Sequence, residues 1–240
     1  MIEEQQELTW SAVDQYFGAS LLREDPVLDA ALEANRDAGL PMIDVSPLQG
    51  RFLHLLAKVQ GARRILEIGT LGGYSTICLA RALPADGVLI TLELDAAHAE
   101  VARRNIARAA LACRVCVKVG PAARLLPTLK SDEPGAFDLI FIDADKASTP
   151  EYYRWALELS RPGSVILIDN AVRKGAVADA TTTDPNVLGM RRVAELIGSD
   201  LGTVEATALQ TVGTKGYDGF ILMRVIRAKE GSQASGNGSR

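Results

Sequence analysis

The chain is poor in residues that carry sulfur or imidazole chemistry: its 240 residues include three cysteines and two histidines. Cys113 and Cys116 form a CxxC, so a redox or zinc reading must be weighed. They lie in Cys113-Arg-Val-Cys-Val-Lys-Val119, which alternates like a strand, and residues three apart on a strand face opposite ways. A reactive pair needs its thiols together, usually at a helix N-terminus, so these read as packing cysteines. A zinc site would need a second ligand pair, and His54 and His98 stand alone. No apolar run approaches the ~20 residues needed to span a bilayer. Nor is there an excess of positive charge: 26 basic and 30 acidic residues give a formal −4, without a strong field for polyanions. The opening Met1-Ile-Glu-Glu-Gln-Gln-Glu7 is acidic and polar, unlike a signal peptide, and the expected location is cytoplasmic.

What the chain does have is two very apolar runs that end in oxygen side chains. Phe137-Asp-Leu-Ile-Phe-Ile-Asp143-Ala-Asp145-Lys146 is followed, 26 positions after Asp143, by Val165-Ile-Leu-Ile-Asp169-Asn170. Such runs suit strands buried on both faces of a parallel sheet. Ligands bind beyond the carboxyl ends of those strands. Asp143, Asp169 and Asn170 are therefore expected at one rim, offering two carboxylates and an amide carbonyl to Mg²⁺, or to Mn²⁺ or Ca²⁺. The competing reading is helix capping, to which Asp and Asn are also suited.

The rest of the pattern is α/β. Residues 8 to about 60 read as helical, with Ser46-Pro47 as an N-cap and first turn. From Arg64 strands and helices alternate: strands at 65–68, 87–93, 114–119, 138–142 and 164–168, with helices at 74–83, 96–110, 150–159 and 187–197. Residues 203–212 and 219–226, joined by Gly213-Thr-Lys-Gly216, read as a hairpin, so the last strand should run antiparallel to the others. We divide the chain into an N-terminal helical extension (1–60), a main α/β domain (61–227) and a tail (228–240) rich in Gly and Ser and expected to be disordered. The early helices should pack on the sheet edge or on a partner subunit.

Glu67-Ile-Gly69-Thr70-Leu-Gly72-Gly73-Tyr74-Ser75 sits where the first strand turns into its helix, and glycines there let a ligand approach the backbone. Glu93 closes the second strand, where a carboxylate can accept hydrogen bonds from ribose hydroxyls. The G-x-G-x-x-G fingerprint is absent, which suits an adenosine ligand without a pyrophosphate better than a dinucleotide. A tight turn and a surface glutamate are the plainer alternative.

With Leu22-Arg-Glu-Asp-Pro-Val27, Val45-Ser-Pro-Leu-Gln-Gly50, Gly120-Pro-Ala122, Arg161-Pro-Gly163 and the segments above, residues 16–226 resemble the class I S-adenosylmethionine-dependent methyltransferases. Among these the chain is similar to the cation-dependent O-methyltransferases that include caffeoyl-CoA and catechol O-methyltransferases. The resemblance implies a Rossmann-like, seven-stranded, mostly parallel sheet with an antiparallel last strand and helices on both faces. It implies S-adenosylmethionine at Val45, Glu67, Gly69, Thr70, Ser75, Glu93, Ala122 and Asp145, and a divalent cation at Asp143, Asp169 and Asn170. Lys146 matches the proton acceptor, and a homodimer is the usual assembly. The expected acceptor is a small catechol-like aromatic. Relatives that methylate a hydroxylated uridine in tRNA, and a non-catalytic S-adenosylmethionine-binding protein, are the alternatives; a NAD-dependent dehydrogenase is disfavoured by the glycine spacing. Where many relatives read Asp-Asn-x-Leu-Trp, this chain reads Asp169-Asn-Ala-Val-Arg173-Lys174, so Arg173 or Lys174 is expected to favour an acidic or phosphate-bearing acceptor, unless the loop is merely solvated.

Overall fold

In the computed structural model, residues 2–227 are described; the expected disordered tail at 228–240 lies outside them. Three helices come first: α1 (Ile2–Leu21), α2 (Pro26–Asp37) and α3 (Pro47–Gln60). Proline follows the N-cap in α2 and α3, and the caps Asp25 and Ser46 accept from Leu28 N and Gln49 N. The helical stretch thus starts earlier than the expected residue 8.

Alternation then follows: β1 (Arg64–Ile68), α4 (Tyr74–Ala80), β2 (Val88–Glu93), α5 (Ala96–Arg108), β3 (Arg114–Val119), α6 (Ala122–Asp132), β4 (Leu139–Ile142), α7 (Thr149–Glu158), β5 (Val165–Asp169), α8 (Pro185–Ser199), β6 (Val204–Gly213) and β7 (Gly216–Val225). The strands form one seven-stranded sheet in the order β3-β2-β1-β4-β5-β7-β6. Pairings among β1 to β5 are parallel, while β7 lies antiparallel between β5 and β6. The hairpin closes at Gly213↔Gly216 around Thr214 and Lys215. Helix α6 has no counterpart in the sequence reading, because Pro127 interrupts its pattern.

Both faces of the central strands are buried, and the two-residue period sorts them. Leu66, Ile68, Ile90, Leu92, Ile140 and Ile142 face the side covered by α6, α7 and α8. Ile65, Leu89, Leu139 and Phe141 face the side covered by α3 and α4. Cys113 packs on this second side and Cys116 against the first, so the CxxC is indeed split between faces. Helix α1 lies along β6, and Asp14 accepts a hydrogen bond at 2.8 Å from Thr214 N in the turn that follows it. Among the described residues no helix is long and apolar enough to cross a membrane.

The register positions the site. Ile68 pairs with Leu92 and Ile142, and Ile142 with Ile168. Gly69, Glu93, Asp143 and Asp169 therefore emerge level, one residue further on. Strand order reverses at β1, which puts a crevice at that rim.

Candidate active site

Gly69 leaves β1 with φ of 100°, and a Cβ there would lie 2.0 Å from the Asp143 carbonyl oxygen. Only glycine lets these two strand ends approach so closely. The turn is then fastened across the crevice: Thr70 N and Leu71 N donate to Glu93 Oε2 at 3.1 and 2.8 Å, and Asp95 N donates to Oε1 at 3.0 Å. Glu93 thus ties the glycine loop to the end of β2 and has only its remaining lone pairs for a ligand. Gly73, at φ 85°, starts α4.

Glu67 is fully buried beneath that loop. Ser75 Oγ donates to Oε1 at 2.6 Å and Thr76 Oγ1 to Oε2 at 2.5 Å, so two expected ligand contacts, Glu67 and Ser75, also bond to each other. Burial pushes the Glu67 carboxyl up to about 7 against the lowering effect of these bonds, with Asp143 adding to the rise. Val45 is buried just before the Ser46 cap, and Ala122 opens α6. Asp145 is exposed and caps the short 3₁₀ turn Lys146–Ser148, accepting from Ser148 N at 3.1 Å and from Tyr152 Oη at 2.5 Å.

The second half of the rim is acidic and mostly enclosed. Lys146, nearly buried, donates from Nζ to Asp143 Oδ1 at 2.8 Å. Asp169 is 4% exposed; Asn170 N donates to its Oδ1 at 2.8 Å and Gln49 Nε2 to its Oδ2 at 2.5 Å. Burial and the neighbouring Asp143 charge push Asp169 up to about 7, opposed by Lys146 and by the bonds from Asn170 and Gln49. Asn170 adopts φ 55°, turning the chain immediately after the carboxylate. Among the described residues its carboxamide makes no hydrogen bond to the protein, which leaves its carbonyl oxygen available. Two crowded carboxylates under-supplied with positive charge, next to a free amide oxygen, fit a hard divalent cation. No cluster of three or more His, Cys, Asp or Glu side chains suited to a metal occurs among the described residues, so the amide is needed to complete the set.

Gln49 escaped the sequence reading. Ser46 and Gln49 have capping-box spacing, and that motif turns the Gln side chain back toward the cap. Here the side chain reaches instead across 120 positions of sequence to Asp169. The basic pair is divided: Arg173 is half-buried with an enclosed Nε that has no partner among the described residues, whereas Lys174 is exposed. Both lie in left-handed backbone, φ 55° and 56°, and Asp218 Oδ1 accepts from Val172 N and Arg173 N at 2.9 and 3.0 Å.

The family model described as O-methyltransferase matches residues 19–226. The catechol O-methyltransferase of Niastella koreensis is 51% identical over 213 residues, covering 89% of this chain and 96% of that protein. A crystal structure of the Bacillus cereus O-methyltransferase in complex with S-adenosylhomocysteine is 55% identical, with a TM-score of 0.88, covering 90% of this chain and 98% of that one. TomG of Streptomyces achromogenes, an O-methyltransferase of tomaymycin synthesis solved in complex with S-adenosylmethionine, is 50% identical, with a TM-score of 0.88 and coverage of 92% and 98%. The chain belongs to the O-methyltransferase family, enzymes that move a methyl group from S-adenosylmethionine to a hydroxyl oxygen.

Proposed function

We propose that the chain methylates one hydroxyl of a catechol-like aromatic, using S-adenosylmethionine and a divalent cation, Mg²⁺ first. The observation that carries this reading is the meeting of Asp143 and Asp169 at adjacent strand ends, one paired with Lys146 and the other buried and bonded to Gln49. The names of the Niastella relative and of the neighbours solved with the methyl donor or its product support the same chemistry.

In this reading Asp143, Asp169 and the Asn170 carbonyl hold the cation. When bound, the ion supplies Lewis acidity that makes the acceptor hydroxyl more acidic. Gln49 fixes the Asp169 carboxylate by donating to one oxygen, and Asn170 N fixes the other. Lys146 takes the hydroxyl proton at Nζ. Its Nζ lies 2.8 Å from Asp143 Oδ1, which holds the amine at the rim where the acceptor hydroxyl would sit. Gly69 to Ser75, Glu93, Val45, Ala122 and Asp145 line the donor side, and transfer is then a matter of holding the acceptor oxygen in line. Arg173, half-buried and three positions after Asn170, is the better placed of the basic pair to meet an acidic acceptor.

Activity with S-adenosylmethionine and catechol should vanish in EDTA and return with Mg²⁺; full activity in EDTA would defeat the cation role. An R173A/K174A variant should lose preference for carboxylated over neutral catechols, and an unchanged KM ratio would remove the acidic-acceptor reading. We also propose a homodimer, because α1 and α3 pack together and expose Tyr16, Leu21 and Val59 at 68%, 68% and 87%. Light scattering at micromolar concentration tests it; a monomer would refute it.

A further inference from the structure

Two buried asparagines sit back to back, each in the last turn of its helix. Asn35 in α2 is 2% exposed and Asn105 in α5 is 1% exposed. Asparagine loses helix stability because its amide competes for backbone bonds, and burying an amide costs more unless every group is paired. Here the groups are paired. Asn105 Nδ2 donates to Asn35 Oδ1 at 3.1 Å and to the Gly72 carbonyl at 2.9 Å. Asn35 Nδ2 donates to Asp44 Oδ1 at 2.9 Å, and Arg108 Nη1 donates to Asn105 Oδ1 at 3.2 Å.

The contact with Gly72 is intimate. A Cβ there would lie 1.8 Å from Asn35 Oδ1, so the Asn35 carboxamide fills the space a side chain would take. Gly72 belongs to the turn between Gly69 and Gly73, and Asp44 precedes Val45. The two segments assigned to the donor site therefore meet on one carboxamide, through Asp44 and Gly72, which lie 28 positions apart in sequence.

We propose that Asn35 is a positioning residue for the methyl donor: it sets the distance between the glycine turn and the Asp44–Val45 segment, with Asn105 as its fixed backstop. The role rests on the reading of these two segments as the donor site. Asn35 itself touches no reacting atom; it acts through Gly72 and Asp44.

The hydrogen bond to Asp44 can be reversed, which gives the test. Asn35→Asp keeps shape but sets a second carboxylate against Asp44. Adding Asp44→Asn restores a donor, now pointing the other way. Calorimetry with S-adenosylhomocysteine should find binding weakened about tenfold in N35D, the scale of one lost buried bond, and recovered to within about threefold in N35D/D44N. The KM for S-adenosylmethionine should follow, while the acceptor KM and kcat stay within about twofold. A packing role alone would lower the melting temperature of N35D without this split and without rescue by the swap. Parent-like binding in N35D, or a folded double variant with no recovery, would overturn the proposal. Should N35D fail to fold, Asn105→Ser removes the backstop and must weaken the same binding; unchanged binding there also overturns it. Glu93→Ala separates the two levels: weakened binding in E93A with parent-like binding in N35D refutes the Asn35 role alone, whereas parent-like binding in both refutes the assignment of the donor site.

Discussion

At the scale of single residues, the site is held by close approaches and buried charge. Gly69 has both a left-handed φ and the Asp143 carbonyl in the space of any side chain. G69A should therefore cost about 2 kcal/mol or more in urea unfolding and reduce turnover, whereas a substitution that needed only the φ would cost about 1. Glu67 makes a pH prediction. An unfolded glutamate loses its proton near 4.5, but the buried one keeps it to about 7. The folded chain then binds more protons than the unfolded chain between those values, so this residue's contribution to stability falls as pH rises through that window and is flat above it. E67Q keeps partners for Ser75 and Thr76 without the charge, and should gain stability at pH 8 on the order of 3 kcal/mol relative to its effect at pH 4. Equal effects at both pH values in urea melts would contradict this. The residues that end apolar runs, Asp143, Asp169, Asn170 and Lys146, were legible in sequence because each stands at a strand end. Gln49 and Asn35 were not, since their partners Asp169 and Asn105 lie 120 and 70 positions away and neither position breaks a local pattern.

At the scale of elements, legibility followed burial. Strands β1, β2, β4 and β5 are covered on both faces, so their apolar runs admit little else. The hairpin was legible from Gly213 and Gly216 flanking two residues, a signal local enough to need no fold. Helix α6 was not, because Pro127 argues against a helix and only Leu126 and Leu129 of its residues are buried. Pro127 lacks an N–H for the helix ladder, so P127A should raise the unfolding free energy by roughly 1–2 kcal/mol, checked by thermal melts. A carboxylate tethers α1 to the hairpin tip: Asp14 Oδ2 accepts from Thr214 N and Oγ1 at 2.8 and 3.3 Å. D14A should lower amide protection across α1 in hydrogen exchange while leaving β1 to β5 unchanged. Equal loss throughout would mean that α1 unfolds only with the whole domain.

At the scale of the whole molecule, sheet order matters more than composition. The chain carries a modest −4, and Asp143 and Asp169 are gathered at one rim by register rather than by a broad field. Raising salt from 50 to 500 mM should therefore change KM for a neutral catechol by less than about twofold, where a polyanion acceptor would give a steep slope. The position of β7 has a further bearing on how the enzyme comes into being. Asp169 pairs across the ladder with Phe220, in the strand that is last in chain order yet second from the sheet edge at that end. While the polypeptide is still being synthesised, β5 keeps one flank bare beside the rim that carries Asp143 and Asp169, an invitation to foreign strands. Catalytic competence and protection from misassociation therefore arrive together, when that final ribbon slides home.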